Sequence, residues 1–355
     1  MKYTNPDPFN HGTTSITYIP VTAAEVEDLS FVVKHGWNID IDSIHKLSAG
    51  TDKNSNNFRV DSSSSSYVLK WSHIDDPPVR RLVNEVIAYS GIKGIKISPP
   101  IPTVSDRNSF FGNHKGLFCL YDFIQGEHFD GSRAELVNVA EEAAYLHKAL
   151  EAMPTSTKQD VLRLKKQLVK HDRKLLERIL QTINSLEEKT DLDLKIITDI
   201  DEINEYSKQV SASDLDALPL QVIHHDLHPH NVLFDSHSKK VLALLDFDPI
   251  RYSQKVRDVS FAMHRFARTY GEHTERKLDT KSAMPERAQD FLNTYVTINS
   301  LSDKEIKALP LAIQDDALHR IINILNQLYI NKDPSWSFDL SKQLTILREG
   351  YLFSF

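Results

Sequence analysis

Val222-Ile223-His224-His225-Asp226-Leu227-His228-Pro229-His230-Asn231-Val232-Leu233-Phe234, followed by Leu244-Leu245-Asp246-Phe247-Asp248, is the stretch on which the reading of this chain turns. An Asp, an Asn five residues later and a second Asp twenty residues after the first stand between short apolar segments. Moving a phosphoryl group needs these groups: a carboxylate to orient and deprotonate an attacking hydroxyl, and hard oxygen ligands for Mg²⁺ on the nucleotide phosphates. Asp226 is the expected base, and Asn231 and Asp246 are the expected metal ligands. Order and spacing follow a kinase catalytic loop and its metal-binding Asp, in a variant that reads H-x-D-x-x-x-x-N and D-F-D.

A competing reading takes the same residues as a metal cluster, since four His and one Asp fall within positions 224–230. A metal-dependent phosphohydrolase with a helical His-Asp pair would use them so. Pro229 would interrupt such a helix, and the flanks Gln221-Val222-Ile223 and Val232-Leu233-Phe234 favour strands, so a loop between short strands fits the pattern better.

With its Leu-His-Pro-x-Asn-Val-Leu and Leu-Asp-Phe-Asp segments, the motif resembles the aminoglycoside phosphotransferase, choline kinase and homoserine-kinase-like family. The resemblance implies an α+β bilobal protein-kinase-like fold, with a small β-rich N-lobe and a larger, mostly helical C-lobe. It also implies transfer of the γ-phosphate of ATP, or of GTP, to a small-molecule hydroxyl. Residues 1–36 are expected to form an N-terminal extension and helix, 37–124 the nucleotide-binding lobe, and 125–355 the catalytic lobe. A helical insertion at about 155–215 matches the region where the family varies with substrate, and it is a candidate part of the acceptor site.

The upstream pattern supplies the remaining parts. Thr22 and Glu25 form a capping box ahead of Val26, Leu29, Val32 and Val33, a stripe that ends at Gly36. Strands are predicted at Ile44–Leu47, Phe58–Val60 and Tyr67–Trp71. Gly50 is the only glycine of the intervening polar loop, so a G-x-G-x-x-G is absent, and Ser48, Gly50 and Thr51 are the candidate phosphate cradle. Lys70 lies at the end of an apolar strand and is expected to orient the α and β phosphates, with Glu85, on a helix opened by Pro78, as its ion-pair partner. The strand Gly116–Tyr121 runs into Asp122-Phe123-Ile124-Gln125-Gly126. By resemblance this is the hinge, with the Asp122 carbonyl and the Ile124 amide facing the purine edge. The buried-looking Cys119 has no basic neighbour on its strand and reads as a small apolar residue.

Four further residues carry supporting expectations. His224 is expected to hold the loop through backbone hydrogen bonds, and His228 to touch substrate or phosphate. Asp248 is open between a metal ligand, an acceptor contact and a plain turn residue before Pro249. Asp258, in the first turn of a helix, is expected by resemblance to brace the catalytic loop. It follows Asp246 too closely to leave room for an activation segment, and no Ala-Pro-Glu element is present, so protein-kinase activity is disfavoured. A catalytically silent nucleotide-binding module would need the loss of Lys70, Asp226, Asn231 or Asp246, and all are present.

Composition bounds the rest. The 355 residues, 40% hydrophobic and 26% charged, are enough for two lobes, and a net charge of −7 does not mark nucleic acid or an anionic membrane as partner. A single cysteine excludes an internal disulfide and suits a reducing cytoplasm, the expected location, and no run approaches the length of a membrane-spanning segment. The acids Asp122, Glu127 and Asp130 near the lobe junction make a cationic acceptor plausible: an amino alcohol, an aminoglycoside-like antibiotic or an amino acid such as homoserine. A sugar also remains open.

Overall fold

The computed structural model describes residues 18–47, 55–73, 76–105, 109–165, 173–211, 215–268 and 283–353. The candidate cradle residues Ser48, Gly50 and Thr51 lie outside the described residues.

The small lobe is one antiparallel sheet of six strands with one helix packed into its core. Strands β1 (Tyr18–Pro20), β2 (Ser43–Leu47), β3 (Ser55–Asp61), β4 (Ser66–Ser72), β5 (Phe111–Asn113) and β6 (Gly116–Asp122) are ordered β1-β2-β3-β4-β6-β5. Alternation puts Phe58, Val60 and Leu69 on one face, where they bury against Phe118 and Leu120 of β6. Helix α1 (Ala23–Trp37) begins at the expected capping box, with the Thr22 hydroxyl accepting from the Glu25 amide and the Glu25 carboxylate accepting from the Thr22 amide. Its Leu29, Val32, Val33 and Trp37 complete that same core. Of the segment expected as an N-terminal extension and helix, the described residues from Tyr18 onward pack with the small lobe: β1 pairs with β2, and α1 supplies apolar area that the thin sheet lacks on its own. Helix α2 (Pro77–Ile92) follows β4 and turns Leu82, Val83, Val86 and Ile87 into the core of the larger lobe.

The larger lobe is built on α3 (Arg133–Glu151), whose Leu136, Val139, Ala143, Leu146 and Leu150 are buried at helical spacing. Next come α4 (Thr155–Leu164), α5 (Arg173–Asn184) and α6 (Asp191–Ser211), in the range expected for a helical insertion. Two short antiparallel pairs then carry the motif: β7 (Leu220–Ile223) with β10 (Arg251–Gln254), and β8 (Val232–Phe234) with β9 (Val241–Leu244). Helices α7 (Lys255–Ala267), α8 (Met284–Ile298), α9 (Asp303–Tyr329) and α10 (Leu340–Glu349) close the lobe. The second capping box forms as expected at Ser302 and Glu305. The insertion has its own apolar core, in which Leu176, Ile179, Ile183, Ile196, Ile200 and Ile203 pack on Ile313, Ala317, Leu318 and Ile321 of α9. Helix α9 thus carries the insertion on one face and leaves another toward the catalytic loop. Among the described residues, no helix is long and apolar enough to cross a membrane.

Candidate active site

The catalytic loop is held from beneath by one carboxylate. Asp258 is fully buried, and its Oδ2 and Oδ1 accept from the backbone amides of His224 (2.7 Å) and His225 (2.8 Å). His147 on α3 contacts Oδ2 through Nε2 at 3.0 Å, while its Nδ1 meets the Tyr295 hydroxyl at 2.7 Å. This network explains how His225 can stand at φ +68°, a left-handed conformation that costs non-glycine residues about 1 kcal/mol or more. Burial alone would raise the Asp258 pKa, but His147, His224 and His225 outweigh it and hold the carboxyl below its ordinary value. Asp258→Asn turns one acceptor into a donor facing donors. We expect it to destabilise the protein by about 3 kcal/mol, read from chemical denaturation, and to reduce activity in step.

Above this clamp the loop presents its polar atoms. His224 Nε2 donates to the Leu245 carbonyl (2.9 Å), and its Nδ1 accepts from the Asp226 amide (3.3 Å), so the ring ties the loop to the residue that follows β9. Asn231 follows a single turn at Pro229 and donates through Nδ2 to the Asp226 carbonyl (2.8 Å) and to its Oδ2 (3.3 Å). The Asn231 carbonyl in turn accepts from the Leu245 amide at 2.8 Å, which puts Asn231 next to the residue that precedes Asp246. His228 Nε2 lies 3.5 Å from Asp226 Oδ2. Burial would raise the Asp226 pKa, yet His228, Arg320 and His224 hold the carboxyl well below the usual carboxylate range.

Asp246 stands at φ +56°, a left-handed position that Asp tolerates better than most residues, and its Oδ1 is 2.8 Å from Lys70 Nζ. Lys70 therefore reaches from β4 across to the large lobe. It also pairs with Asp248 Oδ2 at 2.8 Å, and Asp248 accepts two hydrogen bonds from Arg80 on α2, at 2.7 and 3.1 Å. Against the cost of burial, Asp246 and Asp248 raise the Lys70 pKa above its ordinary value, so the ammonium stays charged. Asp248 thus bridges Lys70 and Arg80.

Glu85 is not the partner of Lys70. It is exposed on α2 and accepts from the Thr157 hydroxyl of α4 at 2.7 Å. The reason is helical phase: the face of α2 turned to the site carries Arg80 and, one turn on, the buried Asn84, while position 85 lies about 100° further round. The residue that sequence reasoning missed is Arg80. The available signal was the acid at the third position of D-F-D, which calls for a cation where protein kinases have glycine. His147 carried no linear signal, since it lies 111 residues from the Asp258 it supports.

At the segment expected to be the hinge, Asp122 ends β6 with its side chain exposed, the Phe123 amide donates to the Ser66 carbonyl, and Ile124 follows half-buried. Among the described residues, no three His, Cys, Asp or Glu side chains converge to hold a metal ion. The histidines of positions 224–230 diverge: His224 turns to Leu245, His225 is buried, and His228 turns to Asp226. Asn231 and Asp246 do fit a Mg²⁺ role, because they are hard oxygen donors and a nucleotide-bound Mg²⁺ takes only one or two protein ligands, leaving the rest to phosphate and water.

A family model described as a phosphotransferase enzyme family (APH) matches residues 46–290, from β2 to α8. The chain belongs to this family. The protein is accordingly a phosphotransferase, a small-molecule kinase. Comparison with curated protein sequences found no match. Solved structures with the same fold include a spectinomycin phosphotransferase in complex with ADP and spectinomycin, at 19% identity, TM-score 0.68, 94% of this chain and 98% of that one. An amicoumacin kinase in complex with AMP-PNP, Ca²⁺ and Ami is 15% identical, with a TM-score of 0.64 over 93% of this chain and 96% of that one. A GDP and kanamycin complex of an aminoglycoside phosphotransferase is 14% identical, with a TM-score of 0.58 over 92% and 99%.

Proposed function

We propose that this phosphotransferase moves the γ-phosphate of ATP or GTP, with Mg²⁺, to the hydroxyl of a small acceptor, with Asp226 as the base. The observation that carries the reading is that two pairs stand on segments bonded to each other: Asp226 with Asn231 at 3.3 Å, and Lys70 of the small lobe with Asp246 at 2.8 Å, joined by the bond from the Leu245 amide to the Asn231 carbonyl. Solved relatives in complex with ADP, AMP-PNP or GDP support the nucleotide part of it.

In this reading Asp226, ionised by its surroundings, accepts a hydrogen bond from the acceptor hydroxyl, points its oxygen at the γ-phosphorus and takes the proton as transfer proceeds. The Asn231 amide, fixed by its bonds to Asp226, keeps its side-chain oxygen for the metal, and Asp246 adds a carboxylate. Mg²⁺ bound there would neutralise charge on the β and γ phosphates. Lys70 shifts from its carboxylate partners to the α and β phosphates when the nucleotide enters, while Arg80 continues to hold Asp248. The Asp122 carbonyl and Ile124 amide read the purine edge, Ser48, Gly50 and Thr51 cover the phosphates, and the α4–α6 insertion with α9 shapes the acceptor side.

The test is nucleotide consumption over a panel of hydroxyl acceptors with ATP and with GTP. At least one acceptor should stimulate ADP or GDP release well above the rate with water, and chelation of Mg²⁺ should abolish the stimulation. Stoichiometric zinc, iron or manganese retained by the purified protein, with metal-dependent phosphate ester hydrolysis and no acceptor dependence, would replace this reading with a hydrolase.

A further inference from the structure

The acids that suggested a cationic acceptor are not the charges nearest the base. Asp130 forms an ion pair with Lys239 at 3.1 Å and accepts from the Ser132 amide, so its charge is already compensated, and Asp122 belongs to the hinge. The side chain that approaches Asp226 from the large lobe is a cation: Arg320 of α9, with Nη2 4.0 Å from Asp226 Oδ1. Its guanidinium lies 5.3 Å from the centre of the Phe261 ring and is about a third exposed, at 34%. Among the described residues it donates no hydrogen bond to a carboxylate.

A second guanidinium accompanies it. Arg251 opens β10 directly opposite Ile223, the residue before His224, and is half-buried without a carboxylate partner among the described residues. The acids on this wall are committed elsewhere: Asp315 and Asp316 hold Arg257 at 2.5 and 2.7 Å, and Arg257 also donates to Gln254. Burial depresses the Arg251 pKa, Asp316 opposes the effect, and Arg320 and Arg257 add to it, so the guanidinium stands among charges of both signs. Buried between the same charges, His225 Nε2 has no hydrogen-bond partner among the described residues. Two guanidiniums that donate to no carboxylate among the described residues, Arg320 with its Nη2 4.0 Å from Asp226 and Arg251 on the strand paired with β7, can turn to an anionic group beside the base.

We propose that the acceptor is an acidic alcohol, a hydroxy acid whose carboxylate is held by Arg320 and Arg251 while its hydroxyl meets Asp226. This rests on the kinase reading above and names its substrate class. Arg320 binds and orients the anionic group, the hydroxyl oxygen forms the new bond to the γ-phosphorus, the bond from that phosphorus to the β–γ bridging oxygen breaks, and the proton passes to Asp226. The same arrangement disfavours a cationic group at this end of the acceptor, because an ammonium would meet Arg320 with like charge.

The experiment pairs each of glycolate, glycerate and 4-hydroxybutyrate with its neutral amide and adds ethanolamine, choline and kanamycin, all assayed by ADP or GDP release. Binding of a fluorescent ATP analogue is measured alongside on the same protein. At least one hydroxy acid should exceed its amide by about 100-fold in kcat/KM. Arg320→Gln should raise KM for that acid by about 10-fold or more with kcat little changed, and Arg320→Lys should recover part of the loss. Turnover of amides or amino alcohols at rates equal to or above the acids overturns the inference, as does the absence of hydroxy-acid turnover while the analogue binds. An Arg320→Gln variant that loses kcat with KM unchanged, whatever the acceptor charge, also overturns it and assigns Arg320 to the transferred phosphoryl group. Failure to bind the nucleotide analogue is the separate result that sinks the kinase reading and, with it, this one.

Discussion

Asp226→Asn should leave the fold and nucleotide binding intact and slow phosphoryl transfer by about 10² to 10⁴-fold, the usual worth of a positioned general base. The substitution keeps the shape of the side chain, and the Asn231 amide retains its stronger bond, 2.8 Å to the backbone carbonyl of residue 226. What disappears is the negative charge that His228 at 3.5 Å and Arg320 at 4.0 Å surround. The wild-type pH profile is a second reading of the same assignment. Because the Asp226 carboxyl is held well below the usual carboxylate range, the group stays ionised as pH falls, and its protonation removes activity only below that lowered value. On this account kcat/KM stays free of an Asp226 acid limb from neutrality down to about pH 5. Stopped-flow or coupled assays of the variant decide the matter: retention of more than about a tenth of the wild-type rate contradicts the base assignment.

Asp246→Ala should weaken Mg²⁺-nucleotide binding by more than about 100-fold, because it removes the only carboxylate assigned to the metal and leaves Asn231 as a neutral ligand. The expected loss is specific. Lys70 keeps its 2.8 Å pair with Asp248, and Arg80 keeps Asp248 in place, so the small lobe should remain docked as before. In wild-type protein, chelating Mg²⁺ should reproduce the loss, while in the variant chelation should have little further effect. Isothermal titration of the nucleotide with and without metal reads both arms. Equal affinities for wild type and variant in the presence of Mg²⁺ refute the metal role of Asp246.

Both expectations begin from residues legible in the linear chain, and local chemistry explains why. The loop from His224 to Asn231 and the D-F-D segment are contiguous, and each requires particular side chains at fixed spacing, so a linear pattern holds nearly all of the information. The capping boxes at Thr22 and Ser302 were legible for the same reason, since the satisfied donors and their acceptors lie within one helical turn. The strand carrying Lys70 was legible from its run of apolar, β-prone residues, Tyr67 to Trp71. Helix α1 was recognisable as a helix, but its membership of the small lobe depended on burial against β2, β3 and β6, which pairs residues far apart in the chain.

The partner of Lys70 marks the limit. From the sequence, Glu85 and Arg80 are both charged residues on one amphipathic helix, five positions apart. The rotation of α2 is set by packing Leu82, Val83, Val86 and Ile87, and that packing turns Arg80 inward to Asp248 and leaves Glu85 to Thr157. His147 and Arg320 are further examples. Each lies on a helix whose sequence reads as ordinary core and surface, and each gains its role from a loop approached across the fold.

The sequence by itself determined the reaction class, because phosphoryl transfer demands a base and metal-binding oxygens at short, fixed separations along one loop and the strand pair that follows it. Only the tertiary structure decided which charges face one another. Ion pairs act through space over a few ångströms, and the distances from Lys70 to Asp246, from Arg80 to Asp248 and from Arg320 to Asp226 are set by helix rotation and lobe packing. Which charge stands beside the base was therefore invisible in the chain and became legible once α9 brought Arg320 to within 4.0 Å of Asp226.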